Sequence, residues 1–411
     1  MKNLIRIFCI FLWGMSDLLH AEEPQVNSKV ISEPSPLQPI IESNNQFSFD
    51  LYHQLTRKPG NLFFSPYSIA EAFAMLTIGA QGETAQEMEK VLHLTPSSLL
   101  LMGQLHQKLS TDAKNPTQLH LANALWLQED LSLLNLFQLA LKQNFNSTVK
   151  KVNFEKEPAQ AVKTINEWVE KQTQGKIRQL FNFNDITKQT RLVLTSAIYM
   201  RAQWAHLFDT KLTAKANFKV TERQTLEVDM MKIIETYPLY VSDDFALIEL
   251  PYLTEASKDL QLALTILLPH ENTDFSSLEE SLNFDNWQVW NGKMLSRRVQ
   301  LMLPRFKVED RLNLNQTLIE LGMVQAFNNQ ADFSGITGNK TLMISEAIHK
   351  TFIQVDEKGT EAAAATGISM NLKSVFNSEE PYYFTADHPF IYIIHDKNTR
   401  AILFIGKLTT P

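Results

Sequence analysis

The chain has one cysteine, Cys9, and it lies in an apolar stretch at the N-terminus. No intramolecular disulfide can form, and a zinc site built on several cysteines is excluded. A fold of 411 residues must then be held by its core alone, which a chain of that length can supply. Hydrophobic residues make up 44% of the chain and charged residues 20%, so it carries the apolar surface of a globular protein and is not disordered as a whole. Length by itself allows two or three domains. From Asn45 onward, however, no linker, repeat or low-complexity block interrupts the pattern, so one large domain is expected over 45–411. A net charge of −7 provides no basic field for a nucleic acid partner.

Residues 1–21 read as a secretory signal. Lys2 and Arg6 supply the positive start, and Ile7 to Met15 forms an apolar run, too short for a membrane span of about 20 residues. Ala21, before Glu22-Glu23-Pro24, is the expected cleavage point; an uncleaved N-terminal anchor is the alternative. Cleavage would remove Cys9 and leave a secreted, or in a bacterium periplasmic, chain without a membrane attachment. Residues 22–44, with Pro24, Pro34, Pro36 and Pro39, read as a polar linker or extended tail.

Helical spacing dominates the first half. Ser65-Pro66 opens a stretch with Ile69, Phe73 and Leu76 on one face, and similar spacing recurs over 84–92 and 159–180. Later segments are short apolar runs of strand length, over 192–199, 262–268 and 299–303. The C-terminus reads as a hairpin, with strands over 390–394 and 401–408. Helices first and strands later imply an α+β fold with a large, mainly antiparallel sheet.

Catalysis finds no support. No GxSxG, HExxH, GxGxxG or GxxxxGK[ST] pattern occurs, and the histidines lack close metal-ligand spacing. Met230-Met231 reads as core rather than as a ligand pair. No cofactor is implied. A secreted hydrolase is therefore disfavoured.

The informative segment is the long connection after the strand-like run 351–355. From Gly359 through Ser378 it has no proline, and its first part, Thr360-Glu361-Ala362-Ala363-Ala364-Ala365-Thr366, is almost all small side chains. At about 25 residues it exceeds ordinary loop lengths. A flexible linker or a short alanine helix is the plain reading. If instead the segment entered a sheet as a strand, alternate residues would face the core. With Thr360 inward, Ala362, Ala364 and Thr366 follow, and Glu361 points outward, where a charge costs less. Gly359 can absorb the backbone change at the hinge.

These residues resemble the serpin family. Glu357-Lys358-Gly359-Thr360-Glu361-Ala362-Ala363-Ala364-Ala365-Thr366 looks like the hinge of an inhibitory serpin's reactive loop, here about 357–381. Further matches run in order along 45–411: Asn61 to Ser68, Asn123-Ala124-Leu125-Trp126, Ile165 to Ile177, Glu249-Leu250-Pro251-Tyr252, Leu321-Gly322-Met323, Asp387-His388-Pro389-Phe390 and Phe404-Ile405-Gly406-Lys407. The sequence departs from the family at Ser196, where an asparagine is usual, and at Ala202, where glycine is common.

The resemblance implies a serpin fold and inhibition rather than catalysis. Counting from the hinge as in inhibitory members, the bond to be cut is Lys373–Ser374. A lysine there suits the acidic pocket of a trypsin-like serine protease; Met370, Leu372 or Phe376 would imply a chymotrypsin-like or elastase-like target. The protease would be trapped in a covalent 1:1 complex by a monomeric inhibitor. The resemblance also assigns Ser65, Ser68, Ser196 and His349 to a buried polar shutter, Arg305 to Glu357 as its partner, and Trp204 to the top of the sheet where the loop enters. Lys142, Lys150 and Lys151 make no dense stripe, so a glycosaminoglycan is not indicated. A non-inhibitory serpin acting as a carrier or chaperone-like binding protein is the alternative.

Overall fold

The computed structural model describes residues 35–95, 97–109, 117–254, 260–360 and 380–411. Pro36–Pro411 form one unit and Met1–Ser35 another. The first begins earlier than the prolines suggested. Helix α1 spans Gln38–Leu55, with Pro39 in its first turn, where a missing N–H costs nothing. Ile40 and Ile41 are buried, so 38–44 belongs to the folded body and not to the tail expected over 22–44. Here proline marks a helix start.

Strand β1 (Leu62–Phe64) leads into α2 (Pro66–Thr77), α3 (Gly82–Val91) and α4 (Ser98–Leu109). Ser65 caps α2 by accepting the Ser68 N–H on its hydroxyl. Next come β2 (Gln118–Leu121), β3 (Ala124–Gln128), α5 (Asn135–Phe145), β4 (Lys150–Val152) and α6 (Pro158–Gln172). The helical spacing seen over 159–180 overruns α6 by eight residues. The chain leaves the helix at Gln174 and Gly175, both at positive φ, and Ile177, Leu180 and Phe181 stay buried beyond it.

The strand-rich part follows: β5 (Leu192–Gln203), β6 (Ala214–Thr221), β7 (Gln224–Val241), β8 (Phe245–Pro251) and β9 (Leu262–Pro269). After α7 (Phe275–Ser281) and α8 (Phe284–Gly292) come β10 (Leu295–Pro304), β11 (Phe306–Asn313), α9 (Asn315–Leu321) and α10 (Ser334–Thr337). The chain closes with β12 (Glu346–Asp356), β13 (Gly359–Thr360), β14 (Tyr382–Thr385), β15 (Phe390–Asp396) and β16 (Ile402–Leu408). The last two pair antiparallel as the expected hairpin.

The strands make two sheets rather than one. The nine-stranded sheet runs β1-β16-β15-β9-β8-β7-β10-β14, with β6 on β7. The seven-stranded sheet runs β11-β12-β13-β5-β3-β4, with β2 on β5. Most pairs are antiparallel; β3–β4, β10–β14 and β5–β12 are parallel. The main core lies between the sheets and the helices led by α1 and α2. A second core, with Trp126, Phe154, Ile165, Val169, Phe181 and Val193, forms where α6 crosses the other face of the seven-stranded sheet. That sheet is thus covered on both faces, which explains why its central strands lack a polar side. Met230 and Met231 are buried in β7.

Candidate functional site

The central strands β5 and β12 are bonded at one end and parted at the other. They pair in parallel from Glu346↔Val193 to Phe352↔Tyr199. Beyond Phe352 they separate, and Gly359 and Thr360 fill the space. Thr360 pairs antiparallel with Val355 on one side and with Ala202 on the other. Gly359 and Thr360, expected from the sequence as part of a hinge, thus lie between the two strands. Gly359 sits at φ +149°, and a Cβ there would lie 2.0 Å from the Ala202 carbonyl oxygen, so only glycine fits.

Thr360 is 1% exposed, and its hydroxyl lies 2.6 Å from that of Tyr252. The Tyr252 ring stacks on Trp204 at 4.6 Å between centroids, and the Trp204 indole N–H donates to the Asp356 carbonyl at 2.8 Å. Trp204 therefore lies at the parted end, beside the hinge. Burial pushes the Tyr252 phenol well up, which keeps it neutral.

Glu357 in the β12–β13 turn is gripped by Arg305. The Arg305 Nε donates to both carboxylate oxygens at 2.9 Å, and Nη2 to Oε1 at 2.6 Å. The Thr213 hydroxyl donates to the same carboxylate at 2.5 Å. Burial works against the Glu357 charge, but the hydrogen bonds from Arg305 and Thr213 outweigh it and lower its pKa. The backbone turns back at Lys358, whose carbonyl accepts from the Trp204 N–H.

At the bonded end the links are neutral. The Ser65 backbone N–H donates to His349 Nε2 at 3.0 Å. Nε2 is therefore the unprotonated nitrogen, and Nδ1–H faces the Ser196 carbonyl at 3.0 Å and the Ser196 hydroxyl at 2.9 Å. The Ser196 and Ser68 hydroxyls are 2.9 Å apart. Ser68 donates to Asn123 Oδ1 at 2.7 Å, and Ser65 donates its hydroxyl to the Leu403 carbonyl at 2.6 Å. Burial pushes the His349 imidazole down to about 3, so it stays neutral at ordinary pH. The short Ser196 side chain reaches both neighbours because His349 lies directly across from it in the ladder.

Ser65, Ser68, Ser196 and His349 thus converge, as do Trp204, Arg305, Glu357, Lys358, Gly359 and Thr360. Glu361 through Thr366, Lys373 and Ser374 lie outside the described residues. Sequence reasoning missed the roles of Thr213, Tyr252 and Asn123. Tyr252 and Asn123 stood inside quoted motifs, but nothing local said what they touch; Thr213 carried no signal. Among the described residues no cluster of three or more His, Cys, Asp or Glu could hold a metal ion.

A family profile described as Serpin (serine protease inhibitor) matches residues 42–411. An uncharacterized serpin-like protein of Thermococcus kodakarensis is 37% identical, over 91% of this chain and 86% of its own length. The leukocyte elastase inhibitor of Bos taurus is 36% identical, over 91% of this chain and 100% of its own. Among solved structures, Serpin48 of the insect Tenebrio molitor superposes with a TM-score of 0.81 at 31% identity, covering 91% of this chain and 98% of that one.

Proposed function

The chain belongs to the serpin family, which has inhibitory members such as the leukocyte elastase inhibitor and whose inhibitors are not enzymes, and we propose that it is a secreted, single-use inhibitor of a trypsin-like serine protease, cut at Lys373–Ser374. The observation that carries this reading is the seat of Thr360, which is in register with both parted strands at once.

That double register can be continued down the sheet. On β12, residue 361 would face Gln354, and on β5 it would face Arg201. Continued to the paired region, Ala363 falls between Phe352 and Tyr199, and Ser369 between Glu346 and Val193. Phe352↔Tyr199 and Glu346↔Val193 are pairs of the existing parallel ladder. One strand can therefore enter along its whole length without either neighbour slipping. It would replace one parallel pairing by two antiparallel ladders, the more stable kind per residue, and add main-chain hydrogen bonds throughout.

The side chains suit this. The inward face begins with buried Thr360 and continues with Ala362, Ala364, Thr366 and Ile368. Thr366 would arrive between Ser196 and His349, offering a hydroxyl where their mutual hydrogen bonds had been. Glu361, Ala363 and Ala365 would take the opposite face.

In the reaction, the target's serine oxygen attacks the Lys373 carbonyl carbon. The Lys373–Ser374 C–N bond breaks, the Ser374 nitrogen leaves as an amine with the proton relayed from the serine, and an ester remains. The freed strand then enters the sheet and carries the esterified protease with it before water hydrolyses the bond. The uncut form is held by a kinetic barrier, not by being the most stable state. One monomer is consumed per protease. Lys2, Arg6 and the apolar run Ile7–Met15 support export, with the mature chain starting at Glu22.

Incubation with trypsin tests the reading. A complex that survives boiling in SDS is expected, with a released C-terminal peptide beginning at Ser374. Complete cleavage without any complex would overturn it, and a peptide starting after Met370, Leu372 or Phe376 would move the bond and the target class.

A further inference from the structure

Helix α5 is apolar on two sides. Phe137, Leu141 and Phe145, four residues apart, form the side that is buried. Leu136 and Leu139, three apart, share another side, and they are 81% and 53% exposed. Leu134, just before the helix, is 40% exposed. Its backbone is fixed there, because the Leu134 N–H donates to the Ile336 carbonyl at 2.9 Å. The following turn borders it: a Cβ on Gly338 would lie 3.7 Å from the Leu134 side chain. A surface helix ordinarily turns polar residues to solvent. At the start of α5 that place is taken by leucine, and neither the core nor the site already described uses these side chains.

Composition and shape choose what covers them. Protein–protein contacts are anchored by Trp, Tyr and Arg, with leucine under-represented, and the three apolar members of this patch are all leucine. Together they expose roughly 300 Å², far below the roughly 800 Å² a side of a stable protein interface. A folded partner or a second copy of the chain is therefore a poor match. Leu136 stands clear of the surface as a projection, which suits insertion into a soft medium better than docking on a rigid one. Lys142, exposed and three residues beyond Leu139, shares its side of the helix. Lys340, also exposed, follows Gly338. Lysine stems lie along apolar surface while their ammonium groups reach outward to phosphate.

We propose that Leu134, Leu136 and Leu139 dock the protein on a phospholipid surface, the leucines entering the acyl boundary and Lys142 and Lys340 meeting headgroup phosphates. The apolar side chains supply the attraction. The contact is peripheral and not a span, since no helix among the described residues is long and apolar enough to cross a membrane. A net charge of −7 opposes a strongly anionic surface, so the expected surface is zwitterionic. Docking of this kind does not depend on the inhibitor reading.

The test uses the chain from Glu22, so that the apolar run Ile7–Met15 cannot bind lipid in place of the leucines; Pro36–Pro411 form a unit without that run. The chain is floated on a density gradient with phosphatidylcholine vesicles. It should rise with them, and salt at about 0.5 M should not release it, because the contact is apolar. Leu136→Gln should weaken partition by about tenfold, Leu139→Gln by about fivefold, and the double variant by more than either. Both side chains are exposed, so the melting temperature of each variant should stay that of the unaltered chain. An unaltered chain that does not float, flotation lost in salt, or a double variant that floats as well as the unaltered chain overturns the docking. A dimer in solution that the double variant splits assigns the patch to a second copy and overturns it as well.

Discussion

The two ends of the β5–β12 pair differ in what holds them. At the bonded end the strands meet each other through Ser196 and His349, neutral groups with no net charge to strand when they part. At the open end they hold Gly359 and Thr360 between them, and the contacts are a carboxylate gripped by Arg305 and a phenol stacked on an indole. Hydrogen bonds between small neutral groups can be exchanged one for one with those of an entering strand. Charged and aromatic contacts anchor a segment in a fixed place. On the insertion reading, the exchangeable links lie where the sheet would open and the anchors where the hinge would stay.

The sharpest way to break this comparison is at Thr360. Thr360→Arg places a charge in a position that is 1% exposed, against Tyr252, at a cost of several kcal/mol. We expect the yield of SDS-stable protease complex to fall at least about tenfold, with the chain cut as a substrate instead; an unchanged yield refutes the register.

His349→Phe attacks the other end. It leaves the Ser65 N–H and the Ser196 hydroxyl without their imidazole partner, and urea unfolding should show a loss of about 2–4 kcal/mol.

The same imidazole predicts a pH dependence. Its unfolded-state value is near 6.5 and its folded value about 3, so the unfolded chain takes up the proton first as pH falls. The stability it contributes is fully present above pH 6.5 and is lost toward pH 3, on the order of 5 kcal/mol in all. His395, lowered by burial to about 4, acts in the same sense. Glu249 and Glu357, both lowered, extend the loss at more acid pH. His106 and His388 are raised and work oppositely, stabilising at low pH and fading as pH rises through their folded values. His349→Gln should flatten the acid limb of a urea-midpoint profile between about pH 6.5 and pH 4.

Thr366→Val sharpens the comparison in the cleaved state. If Thr366 replaces the Ser196–His349 link, its loss should cost the cleaved form about 1–2 kcal/mol and the uncut form almost nothing; equal effects on both would place the residue elsewhere. Smallest of all is Arg305→Ala. The Arg305 side chain is 42% exposed, so solvent screens the pair, and a loss of about 1 kcal/mol in thermal unfolding is expected.

Much of this was legible in the sequence, but unevenly. The start of this segment could be read because its chemistry is local: Gly359 stands where a Cβ cannot fit, and Thr360 faces the core; Glu361 through Thr366 lie outside the described residues. The fold class could be read from helical spacing giving way to strand-length runs. The pairing of strands could not. Ser196 and His349 are 153 positions apart, and no periodicity connects them; only the resemblance did. Tyr252 and Thr360 are likewise brought together across 108 positions. The tail was drawn too long because Pro39 signals both a linker and a helix start, and only the burial of Ile40 and Ile41 decides between them.

The unequal spacing also bears on how the sheet assembles. Val355 and Thr360 meet across a two-residue turn, whereas Ser196 and His349 must close a loop of 153 residues. By loop-closure entropy the distant pair is disfavoured by about 3 kcal/mol relative to the near one. During folding, β12 therefore finds its own downstream neighbour sooner than it finds β5. The pairing of Tyr382–Thr385 with Val299–Met302 draws the far end of that neighbour to the other sheet. On the insertion reading, the form in which the loop stays out of the sheet would depend on the race between these two closures as well as on the strength of either.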